Sequence, residues 1–249
     1  MNDGAPAIRL DHVSKAFGEK KVLDDVSFEV GEGRAFCILG RSGTGKSVTL
    51  KHIVGLLKPD RGGVFVGGAD VTALRPSELA RIRRGIGFVF QSAALFDSIS
   101  VGENVAFPLR RHTTLADREI RARASEKLAA VGLGGEYGRM PASLSGGMRK
   151  RAGLARAMAL DPPILLVDEP SAGLDPLTSR EIDDLLAGLN RQERRTLVVV
   201  THNMSSVRKL ADDVVMLHEG RIAAHGSLDE LARLNNPLVQ AFLQSSSAG

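Results

Sequence analysis

The chain has 249 residues, 43% hydrophobic and 25% charged, an ordinary balance for a globular protein that buries a substantial core. Its net charge of +4 is too small to argue for nucleic acid as a partner, and a single cysteine excludes a disulfide framework and suits a reducing compartment. No leading segment reads as a secretory signal and no stretch approaches ~18 consecutive apolar residues, so the chain is not expected to cross a membrane by itself. Basic residues fall in small groups (Arg81, Arg83 and Arg84; Arg110 and Arg111; Arg149, Lys150 and Arg151; Arg194 and Arg195) that read as solvated helix faces, with anionic headgroups as the other reading. Cys37 stands inside an apolar run and reads as a small core side chain.

Ile8 to Val13 reads as a strand leading to Ser14-Lys15-Ala16-Phe17-Gly18. Val22 to Val30 alternates, with Val26, Phe28 and Val30 on one face, as in a half-buried strand. Gly31-Glu32-Gly33 turns the chain into Ala35–Leu39, a short apolar run expected to be a buried strand. Gly40, Arg41, Ser42, Gly43, Thr44, Gly45, Lys46 and Ser47 then fill the pattern G-x-x-x-x-G-K-[ST] of a phosphate-binding P-loop. Val48 opens the helix that follows and joins the binding set. Glycines let such a loop wrap a polyphosphate with its N–H groups, and the helix adds its positive dipole end. Lys46 is placed for the β- and γ-phosphates and the Ser47 hydroxyl for a magnesium ion. Val64–Val66 with the Gly67-Gly68 turn, and the buried run Ile86–Phe90, complete a strand-rich first third with one helix.

From Gln91 the pattern turns helical. Ser100-Val101-Gly102-Glu103 has the spacing of a capping box and predicts a short helix ended by Pro108. Thr114-Leu115-Ala116-Asp117 predicts a second helix, through Val131, with Ile120, Ala124, Leu128 and Val131 at helical spacing. A third starts at Ser145. Past Pro162 strands and helices alternate: Ile164–Val167, a helix over 176–192, Leu197–Val200, and a helix from Ser205. A hairpin follows (Val214–Leu217 with Arg221–His225), then a last helix capped at Ser227 and a tail, Ser245–Gly249, expected to fray. Strands alternating with helices argue for an α/β fold around a mostly parallel sheet covered on both faces.

Ligands of such sheets sit beyond the carboxyl ends of the strands. Asp168-Glu169 ends the run Ile164–Val167 there, placing Asp168 for Mg²⁺ and Glu169 to orient and deprotonate a water. His202 ends another strand at the same edge, where an imidazole reaches a γ-phosphate. Gln91, just after Ile86–Phe90, is placed for the metal and the water. The remaining five histidines show no metal spacing. Ser145-Gly146-Gly147 opens a helix whose free N–H groups suit a second anion, which points to a second subunit; an ordinary capped helix start is the other reading.

Taken in order, the P-loop, Gln91, Leu144–Met148, Asp168-Glu169, Ser171-Ala172-Gly173-Leu174-Asp175 and His202 resemble the motifs of ABC transporter ATPase subunits along essentially the whole chain. The resemblance implies a P-loop NTPase with a RecA-like core, an antiparallel β subdomain and an inserted helical subdomain. A single domain 1–249 would then divide into a core of 1–91 and 161–235, a helical part 92–160 and a tail 236–249. It makes Gly40–Ser47 the Walker A loop, Gln91 the Q-loop, Ser145–Gly147 the signature, Asp168-Glu169 Walker B, Asp175 the end of the D-loop and His202 the switch histidine. Phe17 matches the aromatic residue that stacks on adenine, a role that its type shares with a core side chain.

The family further implies ATP with Mg²⁺ as substrate, and a head-to-tail dimer with a second copy in which each signature closes the partner's site. Separate integral membrane permease subunits would hold the chain on the cytoplasmic face of the inner membrane. The signature departs from its usual glutamine at Met148. With Phe90–Ser98 and Asn104–Arg110 it resembles the Mla/Mce group, implying phospholipid or lipid-like cargo and an MCE-domain partner; an importer of polar amino acids or other small solutes is the alternative. Ala93 stands where the family leads one to expect glycine. Only 99 positions separate Lys46 from Ser145, without a heptad run, which argues against a coiled-coil chromosome-type ATPase.

Overall fold

A computed structural model of the protein describes residues 5–244. The expected frayed tail, Ser245–Gly249, lies outside the described residues. In chain order the elements are β1 (Ile8–Phe17), β2 (Lys20–Val30), β3 (Ala35–Leu39), α1 (Lys46–Ile53), β4 (Arg61–Val66), β5 (Ala69–Asp70), α2 (Pro76–Arg84) and β6 (Ile86–Val89). There follow α3 (Val101–His112), α4 (Asp117–Ala130), α5 (Gly146–Ala157), β7 (Ile164–Asp168), α6 (Pro176–Arg191), β8 (Thr196–Thr201) and α7 (Met204–Leu210). β9 (Asp213–His218), β10 (Arg221–Gly226), α8 (Leu228–Arg233) and α9 (Pro237–Gln244) complete the series.

Two sheets form. One is antiparallel, in the order β2-β1-β4-β5; the other runs β10-β9-β3-β8-β7-β6 and is parallel except for the edge hairpin of β9 and β10. β3, β7 and β8 are buried at every position, as parallel strands covered on both faces require. Alternate side chains divide two cores between them. Cys37, Leu39, Leu165, Val167, Leu197 and Val199 face the helices, in one cluster with Val105, Leu109, Ile120, Ala124, Leu128 and Leu154 of the helical insertion. Phe36, Ile38, Leu166, Val198 and Val200 face the antiparallel sheet, where they meet Ile8, Leu10 and Phe28 together with Leu50 and Ile53 of α1. Phe28 and Phe36 stack across that layer with ring centroids 5.0 Å apart.

Several local expectations change. β1 continues through Phe17 because Lys15, Ala16 and Phe17 pair with Leu23, Lys21 and Lys20, a long-range reward invisible in a stretch without alternation. α2 was not expected: it is short and mostly polar, and its apolar Leu79 and Ile82 pack on the core without being fully buried. α3 runs past Pro108 to His112, its last turn held by the fully buried Leu109. Its start is half a capping box. Ser100 accepts from the Glu103 N–H at 3.2 Å, but the Glu103 carboxylate accepts instead from Tyr137 (3.0 Å) and Arg110 (3.2 Å). α4 is capped two residues later than Thr114 suggested, with Glu119 accepting from the Ala116 N–H at 3.0 Å. α8 is not the last helix, since α9 follows it.

One buried amide organises the entry to α3. Asn104 Oδ1 accepts from the Phe96 N–H at 2.7 Å, and Nδ2 donates to the carbonyls of Phe96 (3.0 Å), Ile99 (3.3 Å) and Ser100 (3.0 Å). Removing it leaves several main-chain groups unpaired away from water. Asn104→Ala is expected to destabilise the fold by about 2–3 kcal/mol, read as a lowered urea midpoint with an unchanged slope.

Candidate nucleotide site

The carboxyl end of β3 delivers the chain into the loop 40–47. Gly40 has φ +154°, and a Cβ there would sit 2.5 Å from Thr44 Oγ1 and 2.6 Å from the Leu217 carbonyl. Gly45 has φ +100°, and a Cβ would meet Leu23 Cδ2 at 2.6 Å and the Val22 carbonyl at 2.7 Å. Only glycine serves at these two positions. α1 then begins with no side chain capping it and no acidic residue in its first turn, so its N–H groups face the loop's concavity.

Lys46 is buried, and its ammonium lies inside the loop's own curve. Nζ donates to the carbonyls of Gly40 (2.8 Å) and Arg41 (3.1 Å) and stands 3.5 Å from Glu169 Oε1. The other Glu169 oxygen, Oε2, lies 2.9 Å from His202 Nδ1. Parallel register makes this meeting possible: Leu39 is level with Thr201, and Asp168 with Val200, so the residues after β3, β7 and β8 leave the sheet side by side. Glu169 takes a left-handed φ of +47°, a strained turn for a non-glycine residue, pinned by its N–H donating to the Val200 carbonyl at 2.8 Å.

Asp168 points to the other side of the loop, where Ser47 Oγ donates to its Oδ1 at 2.9 Å. Burial pushes its carboxyl above the ordinary carboxylate range, and the Ser47 hydrogen bond opposes this only in part. Asp168 and Gln91 line a small recess beside the loop. A buried carboxylate, a hydroxyl and an amide oxygen are hard donors that fit a divalent cation shared with a phosphate. Among the described residues no group of three or more His, Cys, Asp or Glu side chains makes a metal cage.

A cleft of about 820 Å³ opens over the loop. Arg41, Ser42, Gly43, Gly45, Lys46, Ser47, Val48, Gln91, Glu169 and His202 line it, with Phe17 at one end. Phe17 is 49% exposed, so of its two sequence readings the core role is excluded. Lys20, Val22, Leu238, Ala241 and Phe242 line it too, and were not anticipated. The signal for the last three was present: Leu238, Val239, Phe242 and Leu243 form a helical stripe after Asn236, whose Oδ1 accepts from the Leu238 N–H at 3.0 Å.

Ser145, Gly146, Gly147 and Asp175 do not line the cleft. Ser145 caps α5, accepting from the Met148 N–H at 3.2 Å, and Asp175 caps α6, accepting from the Thr178 N–H at 3.0 Å and hydroxyl at 2.6 Å. The two caps pack together, since a Cβ on Gly147 would overlap Thr178 Cγ2. Met148 is partly buried against the helix-side core.

A second hollow, of about 560 Å³, lies between the sheet edge and the insertion, lined in part by Phe88, Phe90, Phe96, Phe107 and Pro108. Its rings pair, Phe88 with Phe90 (centroids 4.3 Å apart) and Phe96 with Phe107 (5.0 Å), while Phe96 and Phe107 are each 46% exposed. The segment joining it to Gln91 carries two left-handed alanines, Ala93 (φ +61°) and Ala94 (φ +47°), which explains why glycine suits this place. The partly buried Arg156 guanidinium holds both carbonyls at 2.7 Å.

The raised Asp168 carries a pH signature. A carboxyl whose folded value lies above its unfolded one contributes stability that is fully present at acid pH and lost as pH rises through the folded value. Asp168→Asn keeps an acceptor for Ser47 without the buried charge. Its unfolding temperature near pH 7 is expected to rise by about 2–4 °C, with the gain shrinking as the wild-type carboxyl protonates; calorimetry across pH 4–8 checks both.

Comparison with known proteins agrees with this geometry. A family model described as ABC transporter matches residues 23–172. The chain is 42% identical over 243 residues to the probable ribonucleotide transport ATP-binding protein mkl of Mycobacterium tuberculosis (strain ATCC 25618 / H37Rv), spanning 98% of this chain and 68% of that protein. It is 38% identical over 245 residues to the intermembrane phospholipid transport system ATP-binding protein MlaF of Escherichia coli (strain K12), spanning 98% of this chain and 91% of that protein. Among solved structures it is similar to the ATP-binding cassette MJ0796, a dimer in a post-hydrolysis state bound to ADP and Pi, with a TM-score of 0.83, 36% identity, and coverage of 89% of this chain and 98% of that one. The chain therefore belongs to the ABC transporter family, as one of its ATP-binding, ATP-hydrolysing cassettes.

Proposed function

We propose that the chain is the ATPase subunit of a phospholipid or lipid-like transport complex, working as a nucleotide-sandwich dimer of two copies. One observation carries the dimer. The cleft gathers the loop, Glu169, His202 and Gln91, yet Ser145–Gly147, a glycine-rich helix start suited to phosphate, opens elsewhere on the molecule. A head-to-tail pair gives that helix start an anion to bind, the partner's γ-phosphate, with Asp175 at the seam.

In this reading Phe17 stacks on adenine, and the loop amides with Val48 and the α1 N-terminus hold the phosphates. Lys46 leaves its own carbonyls for the β/γ-phosphate oxygens, which frees Glu169 Oε1. Glu169 then orients and deprotonates the water, while His202, fixed through Nδ1, offers its other nitrogen to a γ-phosphate oxygen. Ser47, Asp168 and Gln91 would hold Mg²⁺, which supplies charge neutralisation of the phosphates when bound. The antiparallel sheet and parallel core (1–91 and 161–235) carry the nucleotide, and the insertion 92–160 carries the signature.

Among the described residues no helix is long and apolar enough to cross a membrane. Membrane-embedded permease chains would therefore receive the stroke, the phenylalanine-lined hollow beside the Gln91 segment seating a permease segment at the inner membrane's cytoplasmic face. The similarity to MlaF, with Met148 in the signature, supports lipid cargo and an MCE-domain protein as the outer partner. The similarity to a protein named for ribonucleotide transport supports the second reading, a small-solute importer.

Glu169→Gln is expected to retain ATP affinity, lose about 10³-fold or more in turnover and persist as a dimer with ATP on size exclusion; a monomer under those conditions contradicts the sandwich. Lys46→Ala is expected to lose nucleotide binding by about 10-fold or more, measured by fluorescent-ATP titration. For cargo, the complex purified from its host and reconstituted in vesicles should show ATPase stimulated by phospholipid and an MCE-domain subunit on mass spectrometry. A periplasmic solute receptor in its place, with stimulation by the solute, sinks the lipid reading.

A further inference from the structure

We propose that Lys150 is a positioning residue that holds Glu169 in its working turn and, through α5, ties the two nucleotide sites of the dimer together. The inference rests on the proposed roles of Glu169 and of the signature in trans. Lys150 lies in the second turn of the helix that Ser145 opens. It is buried, and both partners of its ammonium are main-chain carbonyls, Glu169 at 3.1 Å and Ala172 at 2.7 Å. Burial lowers its affinity for the proton, and the Glu169 charge opposes that loss. An expensive buried cation has thus been spent on two carbonyls that bracket one turn.

That turn is the strained one. Glu169 sits at φ +47°, and its carbonyl accepts both the Lys150 ammonium and the Ala172 N–H (3.2 Å). Without Lys150 the Ala172 carbonyl would lose this buried partner and the Glu169 carbonyl would keep only the Ala172 N–H. The cheapest relief is to rotate the 169–172 turn toward an unstrained φ. Such a rotation swings the carboxylate off His202 Nδ1 and Lys46 Nζ, the two contacts that aim it.

The direction of the link matters. In a head-to-tail dimer the N-terminus of α5 reads the partner's γ-phosphate, whereas Glu169 acts on this chain's own nucleotide. Lys150 stands between them on one rigid rod, five residues from Ser145. Closure of the partner's site, by seating α5, then seats the general base of this one. The cap-to-cap packing of Gly147 on Thr178 gives the rod a second bearing against the D-loop end.

The test uses the full chain with Lys150→Met, which keeps the stem and removes the charge, Lys150→Gln as a second variant should the first fail to fold, and Lys150→Arg. Single-turnover ATP hydrolysis with protein in excess is expected to fall about 10- to 100-fold in the Met or Gln variant, with ATP affinity within about twofold, and to return in the Arg variant. Amide exchange across 168–174 should quicken while the global unfolding midpoint holds. Adding Lys150→Met to Glu169→Gln should cost nothing further, because the lysine acts through the carboxylate. A wild-type rate with unchanged exchange overturns the proposal, as does a loss that Arg does not rescue and that adds to Glu169→Gln. If Glu169→Gln itself hydrolyses ATP at the wild-type rate, the general-base assignment falls instead, and the exchange measurement still decides whether Lys150 holds the turn.

Discussion

Everything at the cleft depends on the register of three parallel strands. β3, β8 and β7 lie side by side, with Leu39 level with Thr201 and Asp168 level with Val200. Residues more than a hundred positions apart in sequence therefore leave the sheet at the same height. Lys46, Glu169 and His202 meet because their strands end together, and a slip of one residue would turn each side chain to the opposite face. Two tightly packed layers enforce that register, with alternate side chains locked into cores of different make-up on either side of the sheet.

The site so built holds opposite charges close together and away from water. The Lys46 ammonium is shared among its own loop carbonyls and Glu169, and Asp168 leans on a serine hydroxyl. Such an arrangement is electrostatically unfinished, with a buried carboxyl raised and a glutamate held in a left-handed turn. Strain of this kind persists only where the surroundings over-determine it. In the proposed reading a triphosphate with its cation completes the charges, and the fold has stored the alignment in advance.

α5 joins the parts. At its start Ser145 caps the helix, in its middle Lys150 grips the turn of Glu169, and toward its end Arg156 grips the left-handed alanines behind Gln91. A helix is stiff along its axis, so displacement at one of these points is felt at the others. The phenylalanine-lined hollow shares its wall with the Arg156 end. One element thus joins the proposed contact with the partner's nucleotide, the chain's own proposed general base and the proposed seat of the membrane subunit.

By itself, the sequence determined the chemistry-bearing local pieces. The P-loop reads from eight consecutive residues because its pattern is contiguous, and β3, β7 and β8 read as apolar runs because both faces are buried. Ser145 reads as a helix start because capping is local. Tertiary structure decided what depends on distant partners. Lys15–Phe17 became strand through pairing with β2, α2 formed without a fully buried residue, and Leu109 carried α3 past Pro108. α9 came to wall the cleft through an apolar stripe whose destination no local rule specifies. Lys150 looked like one more charge in a basic run, and only folding showed its ammonium buried on the carbonyls of Glu169 and Ala172, since burial is a property of what the rest of the chain packs around a residue.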